Sequence, residues 1–326
     1  MHKSEVHDIL DAMTYHTLLN KTIELYLKED FTGAYDFITA NKDTIPVSND
    51  AQICNFRYSI AGKAGKPELA MDLFREAIEE KKYWYQYDYL IEDEDLEPLK
   101  AFPDFDRLVS ICRERETAAK NQETPGISII ESGTAESAEN LFIPLHGDQE
   151  NMEIAGYHWS TAVPGNTILA VPQSSQTAFS EAYVWKDLQK GIDEFQSHFE
   201  DLRKKYADQV SSIIGAGFSA GARVLVNAVA QGFAGLDGII LLGPWLPEEK
   251  EQESFINALA GRKLKIFIMC GDKDDDCFDC TNQFTERLDN AGISHIYKIL
   301  PGLMHEYPDT LKTLTEKAFS YIKGES

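Results

Sequence analysis

The stretch Gly215-Ala216-Gly217-Phe218-Ser219-Ala220-Gly221-Ala222 decides how the second part of this 326-residue chain folds. Residues 209–214 (QVSSII) before it predict a short buried strand, and residues 221–232 (GARVLVNAVAQG) predict a helix. Gly217-x-Ser219-x-Gly221 therefore lies at a sharp strand-to-helix turn, where only small residues fit beside the serine. Such a turn exposes the serine hydroxyl at the end of a sheet. Ser219 is thus a candidate nucleophile, although the pattern taken alone would also suit a simple glycine-rich turn.

Length, charge and cysteine content narrow the classes of function. The length suggests two domains, and no apolar run of 18 residues predicts a membrane span. Residues 1–8 (MHKSEVHD) lack the apolar core of a signal peptide. The formal net charge of −23 disfavours nucleic acids, anionic membrane surfaces and polyanionic substrates as partners. Five cysteines, an odd number, do not indicate a disulfide framework, so we expect a cytoplasmic protein.

The first 120 residues carry apolar side chains at helical spacing and show no strand-like alternation. They predict an all-α domain over residues 1–120, followed by a polar linker over 121–126. The series Ala34, Ile38, Pro46 and the series Ala70, Phe74, Ala77, offset by 36 residues, resemble the second helix of a tetratricopeptide repeat. That resemblance implies a helical-repeat-like domain and allows binding of a protein or self-association. The aromatic cluster at 83–89 (YWYQYDY) predicts either a partner groove or the packed end of this domain.

From residue 127 onward, short apolar runs alternate with helical segments. This alternation predicts an α/β domain over residues 127–326, with a doubly wound, mostly parallel sheet covered by helices. Strands are predicted near 127–131, 141–145, 167–171, 210–216, 238–242, 265–270 and 295–300. Helices are predicted near 150–160, 180–207, 220–231, 250–260, 279–291 and 309–323.

The turn after the strand 141–145 carries His146-Gly147-Asp148-Gln149. A His-Gly turn in this place can aim a backbone N–H group at the nucleophile. We predict that the N–H groups of Ala220 and Asp148 would stabilise an oxyanion, with Gln149 as the alternative to Asp148. His146 itself is predicted to brace the loop and not to act as a base.

Acidic and basic candidates follow the last two strands. A strand ends at Gly271, and Asp274 and Asp275 come shortly after it. A carboxylate there could orient an imidazole; Asp274 is the first choice and Asp275 the second, with a solvated acidic loop or a cation site as the other interpretation. His305 follows the final strand, where it could reach Ser219 and act as the base. The order Ser219, Asp274, His305, each after its own strand, favours a catalytic triad.

Four motifs therefore occur in one order along the second domain: His146-Gly147, Gly217-Phe218-Ser219-Ala220-Gly221, Gly271-x-x-Asp274 and Gly302-x-x-His305. In these motifs the domain resembles the α/β-hydrolase superfamily, particularly the small phospholipase/carboxylesterase and dienelactone-hydrolase-like members. The resemblance implies a serine hydrolase that cleaves a small carboxylic ester or thioester through a Ser-His-Asp triad and an acyl-enzyme, without metal or cofactor. Dienelactone hydrolases usually carry cysteine as nucleophile, so serine favours an esterase. The alternatives are a serine peptidase acting on short peptides, and an interaction scaffold with a degenerate site.

Two further groups of residues are weaker candidates. Four residues could line a substrate pocket or could simply be loop and core residues: Phe218, Ser174, Trp185 and Trp245. Cys277-x-x-Cys280 could be a redox pair or half of a zinc site, but the sequence offers no second ligand pair beside it. We therefore predict a structural role for the two cysteines and no metal site.

Overall fold

A computed structural model describes residues 13–131, 138–259 and 261–325. Residues 1–12 of the predicted all-α domain lie outside the described ranges. Seven α-helices form what we call the helical region: α1 (Tyr15–Leu27), α2 (Phe31–Asn41), α3 (Asp50–Lys63), α4 (Pro67–Arg75), α5 (Tyr87–Glu92), α6 (Glu97–Lys100) and α7 (Phe105–Lys120).

Local sequence explains where these helices begin. The side chains of Thr14, Asp30 and Asn49 accept backbone N–H bonds in the first turns of α1, α2 and α3. Proline at position 67 starts α4, where its missing N–H costs nothing. The small and aromatic residues of the proposed repeat are buried: Ala34, Ile38, Ala70, Phe74 and Ala77. The likeness of this region to a tetratricopeptide repeat stays a prediction.

A seven-stranded sheet dominates the rest of the molecule, in the order β1-β3-β2-β6-β7-β8-β9. Strand β1 is antiparallel to β3, and every other pairing in this sheet is parallel. The strands are β1 (Gly126–Glu131), β2 (Asn140–Leu145), β3 (Thr167–Gln173), β4 (Thr177–Phe179), β5 (Ala182–Tyr183), β6 (Ser212–Phe218), β7 (Gly238–Leu242), β8 (Lys265–Gly271) and β9 (His295–Leu300). The mostly parallel sheet with flanking helices confirms the predicted fold class.

Helices cover both faces of the sheet. They are α8 (Met152–Ser160), α9 (Leu188–Tyr206), α10 (Ala220–Ala230), α11 (Glu249–Ala258), α12 (Phe278–Asn290) and α13 (Leu311–Lys323). Because side chains alternate along a strand, Leu141, Ile143 and Leu145 of β2 pack on the face with α9 and α10, while Phe142 packs with α8 and α13. The five central strands are buried on both faces and read as continuous apolar runs, which makes them predictable. The edge strands β1 and β9 are partly exposed, but they too were predicted.

One predicted element is wrong in its extent. The helix expected over 180–207 begins only at Leu188, because residues 177–183 form the small antiparallel pair β4–β5. This hairpin contacts the helical region: Ser180 and Trp84 exchange hydrogen bonds of 2.8 and 3.1 Å, and the Tyr85 ring stacks on Phe179. Trp84 and Tyr85 are buried, so this part of the aromatic cluster is a packed contact and not an open groove. No helix in the described ranges is long and apolar enough to cross a membrane.

Candidate active site

Ser219 occupies the sharp turn between β6 and α10. Its backbone has φ 52° and ψ −121°, a conformation that side-chain-bearing residues rarely adopt. A Cβ on Gly217 would lie 2.4 Å from the Ala222 nitrogen, and a Cβ on Gly221 would lie 2.4 Å from the His146 carbonyl oxygen. Both positions must therefore be glycine for the start of α10 to approach β6 and the loop after β2 so closely.

Asp274 and His305 form a direct pair. His305 Nδ1 lies 2.8 Å from Asp274 Oδ2, while Asp274 Oδ1 accepts the backbone N–H of Cys277 at 3.0 Å. Asp274 is only 2% exposed, whereas Asp275 and Asp276 are exposed. Burial lowers the pKa of His305, but the hydrogen bond and charge of Asp274 outweigh it, so that the pKa lies above the ordinary 6.5. Of the acidic run, the structure brings Asp274 to the imidazole.

The imidazole of His305 lies beside the serine turn. Its ring stacks on Phe218 at a centroid distance of 4.7 Å. Gly243 closes the other side, since a Cβ there would lie 2.9 Å from Asp274 Oδ2 and 3.5 Å from the His305 ring. Ser219 in turn donates its backbone N–H to the carbonyl of Leu242, the neighbour of Gly243. The serine hydroxyl has no hydrogen-bond partner among the described residues; in unliganded sites such bonds often tighten only with substrate.

The loop Gly147–Glu150 begins beside the serine turn, since a Cβ on Gly147 would lie 2.8 Å from the Phe218 ring. In this loop the Gln149 N–H donates to the Tyr183 carbonyl at 2.7 Å, and the Glu150 N–H donates to the Gly147 carbonyl at 3.3 Å. The N–H groups of Asp148 and Ala220 have no acceptor among the residues that the structure describes. These two donors remain available to an oxyanion, whereas that of Gln149 is engaged.

His146 is held inside the loop, as predicted. The Ser174 N–H donates to its Nε2 at 3.1 Å, so its other nitrogen, Nδ1, must carry the proton that is donated to the Gly147 carbonyl at 2.7 Å. The ring stacks on Trp185 at 4.7 Å. Complete burial lowers the pKa of His146, which keeps the ring neutral. This histidine braces the loop, and both of its nitrogens are occupied.

Three of the four residues predicted to line a substrate pocket are buried behind the site instead. Ser174, Trp185 and Phe218 are buried: Ser174 caps its own turn through Gln176, Trp185 donates its indole N–H to the His146 carbonyl, and Phe218 packs under His305. They support the site from behind and do not form its surface. Trp245 is 37% exposed, and its backbone N–H donates to the Ser219 carbonyl.

Two large apolar side chains beside the site are partly exposed, and we call them the apolar rim. Trp245 and Met304, each 37% exposed, are large apolar side chains next to Ser219 and His305 respectively. The Arg223 guanidinium lies 4.7 Å from the centroid of the Trp245 ring and pairs with Glu251 at 2.6 Å, which fixes the orientation of the indole. Met304 could not be predicted as a residue near the site, because a single methionine next to a histidine forms no recognisable sequence motif.

Cys277 lies close to the Asp274–His305 pair. Ligand atoms of the three residues lie within 4.8 Å of one another, so they could in principle hold a metal ion. A cysteine binds a metal as its thiolate. The pKa of the Cys277 thiol lies far above its ordinary value, mainly because of a hydrogen bond with Cys280 and also because the thiol is buried. Both Asp274 oxygens already accept hydrogen bonds. This donor set suits a hydrogen-bond network better than a metal centre, and Cys277 and Cys280 are free thiols.

Comparison with known proteins finds one matching family model and one relative that spans nearly the whole chain. The family whose model matches residues 14–120 is described as "A/B hydrolase-like, N-terminal domain". An uncharacterized protein from Bacillus cereus is 40% identical, with 96% of this chain and 100% of that chain covered and a TM-score of 0.55. A search of the curated proteins finds no match.

Other solved structures match a smaller share of the chain. Acyl-protein thioesterase 2 from Zea mays is 15% identical, with 60% of this chain and 98% of that chain covered and a TM-score of 0.49. A phospholipase/carboxylesterase from Dyadobacter fermentans is 15% identical, with 60% and 97% covered and a TM-score of 0.47. The chain belongs to the α/β-hydrolase superfamily. This assignment is based on the strand order of its sheet, on the family model that matches its N-terminal region and on its similarity to the Bacillus cereus protein.

Proposed function

We propose that this protein is a serine hydrolase that cleaves a carboxylic ester or thioester through Ser219, His305 and Asp274. The observation that carries the proposal is the 2.8 Å contact between His305 Nδ1 and the buried Asp274 carboxylate, beside a serine in a strained turn. A carboxylate on Nδ1 keeps the proton there and leaves Nε2 free to act as a base.

The proposed reaction has two halves. The Ser219 hydroxyl attacks the carbonyl carbon while His305 Nε2 takes its proton, and the backbone N–H groups of Ala220 and Asp148 stabilise the oxyanion. Collapse of this intermediate breaks the bond to the alcohol or thiol, which receives the proton from His305. A water molecule then attacks the acyl-serine by the same route and releases the acid. Every proton moves through Nε2 of His305.

The surroundings of the site favour an apolar acyl or leaving group without negative charge. Trp245 and Met304 offer exposed apolar surface at the rim. Asp148, Asp275 and Asp276 are exposed close by, and the chain carries a formal charge of −23, so anionic substrates would be repelled.

A fluorophosphonate probe tests the proposal, because it forms a covalent bond only with an activated serine. We expect the wild type to be labelled and Ser219→Ala not to be. Ser110→Ala, at a serine on the exposed face of α7, is the matched control and should be labelled like the wild type. Wild-type protein that has not met the probe should hydrolyse p-nitrophenyl esters, whereas labelled protein should not. The dependence of the rate on acyl length should report the reach of the apolar rim. A folded wild type that stays unlabelled would contradict the proposal.

A further inference from the structure

Glu150 is a buried carboxylate that the proposed reaction does not use. It is 2% exposed, and its Oε2 accepts the Gly147 N–H at 2.5 Å, so its side chain closes the loop that carries Asp148. The same oxygen accepts the Tyr307 hydroxyl at 3.2 Å. Tyr307 lies two residues after His305. One carboxylate oxygen therefore links the oxyanion loop to the loop of the proposed base.

A buried carboxylate needs a compensating partner, and here it comes from the helical region. His16 Nε2, on helix α1, lies 2.8 Å from Glu150 Oε1, and the His16 ring is also buried. Burial raises the pKa of Glu150, but the hydrogen bond and charge of His16, with the Gly147 N–H, lower it by more. The carboxylate is therefore ionised in the folded protein.

The other imidazoles near Glu150 cannot replace His16. Burial lowers the pKa of His158 to about 3, so this ring stays neutral; it stacks flat on Tyr307 at 4.0 Å. His146 is neutral and occupied within its own loop. No lysine or arginine of the described ranges forms an ion pair with Glu150. Among the described side chains, His16 is the one whose ring nitrogen lies within ion-pair distance of the Glu150 carboxylate.

Helix α1 makes a second contact with the same loop. The hydroxyl of Thr17 donates to Glu306 Oε2 at 2.8 Å, across 289 residues of sequence. The His16 ring also contacts Phe218 and Tyr307 edge-on, at centroid distances of 5.6 and 5.2 Å, and Phe218 in turn stacks on the His305 ring. Helix α1 therefore contacts the residues that hold the site in place, and not only the outside of the sheet region.

We propose that His16 and Glu150 are positioning residues, through which the helical region holds the oxyanion loop and the His305 loop in their working geometry. The inference rests on the proposed function, since it concerns the same serine site. Neither side chain contacts the reacting atoms; Glu150 acts through Gly147 and Tyr307, and His16 acts through Glu150.

The test compares kcat, KM and the rate of fluorophosphonate labelling in matched variants. We expect Glu150→Ala to lower kcat by about 10- to 100-fold with KM changed by less than about twofold, because a displaced oxyanion donor affects the transition state more than ground-state binding. His16→Ala should lower kcat in the same way, and His16→Gln should restore most of it, because the glutamine amide can donate to Glu150. The double variant His16→Ala/Glu150→Ala should be no worse than Glu150→Ala alone.

Glu116→Gln is the control. Glu116 also accepts a backbone N–H, that of Tyr87 at 2.8 Å, but it lies in α7 and touches no residue of the site. Its kcat and labelling rate should match the wild type. Equal thermal midpoints would show that the losses in the other variants are not caused by unfolding. Should Glu150→Ala fail to fold, the comparison of His16→Ala with His16→Gln decides the matter alone.

Failure of this inference differs from failure of the proposed function. If the folded wild type is not labelled, both the proposed serine hydrolase and the positioning role of His16 and Glu150 are contradicted. Suppose that the wild type is labelled and that Glu150→Ala folds but keeps its kcat, or changes only in KM. This result would contradict the positioning role and would agree with the proposed hydrolase. A His16→Gln variant as slow as His16→Ala would show that His16 does not act as a hydrogen-bond donor.

Discussion

Replacing Asp274 by asparagine should disable the base and leave the fold intact. Asp274 Oδ1 accepts the Cys277 N–H, so the asparagine oxygen must take this position and the amide nitrogen must take that of Oδ2. The amide then donates to His305 Nδ1, which can no longer carry a proton. The proton moves to Nε2, the atom that has to accept it from Ser219. The variant is isosteric and buried in the same pocket, but its histidine is in the wrong tautomer.

The expected loss is a fall in kcat of about 10³- to 10⁴-fold, which corresponds to about 4 to 5.5 kcal/mol of transition-state stabilisation. The pKa of His305 should also fall, because the hydrogen bond and charge that raise it are gone. Activity needs the neutral ring, so the residual activity of the variant should reach its plateau at a lower pH than that of the wild type.

The assay is hydrolysis of p-nitrophenyl butyrate from pH 5 to 9, with the labelling rate of Ser219 as a second measure. Asp275→Asn is the matched control, because its carboxylate is exposed and adjacent in sequence. We expect Asp275→Asn to keep its turnover within about threefold of the wild type. A folded Asp274→Asn with turnover within about tenfold of the wild type, or an Asp275→Asn variant with the larger loss, would refute the assignment.

Three other perturbations test separate parts of the site. In the wild type, kcat/KM should rise with pH through an inflection above 6.5, because the raised pKa of His305 keeps the ring protonated below it; a flat profile from pH 5 to 9 would argue against an imidazole base. Gly221→Ala should abolish labelling and lower the thermal midpoint, because its Cβ would meet the His146 carbonyl at 2.4 Å, whereas Gly165→Ala, with no atom within 4 Å, should do neither. Trp245→Ala should raise KM for esters of long acyl chains more than for acetate esters, and an equal effect on both would exclude an apolar contact with the acyl chain.

The main features of the sheet region could be predicted from local sequence. Its strands are apolar runs bounded by turns, and the small residues around Ser219 have a steric cause, as the approaches at Gly217 and Gly221 make clear. The short hairpin β4–β5 was missed because three- and two-residue strands are too short to show alternation. The predicted pocket residues Ser174 and Trp185 face inward, since a position after a strand does not reveal which way a side chain points.

Chain order and composition were enough to establish a parallel sheet with a serine turn, an acidic loop and a histidine loop at its carboxyl edge. These features are local: a turn needs small residues at fixed spacing, and a buried strand needs apolar ones. The choice of Asp274 as the partner of His305 depended on burial and hydrogen bonding, which adjacent carboxylates do not reveal in sequence. The contact of His16 with Glu150 was decided by the tertiary structure alone, because a buried charge finds its partner through the packing of distant elements and no periodic pattern connects the two residues.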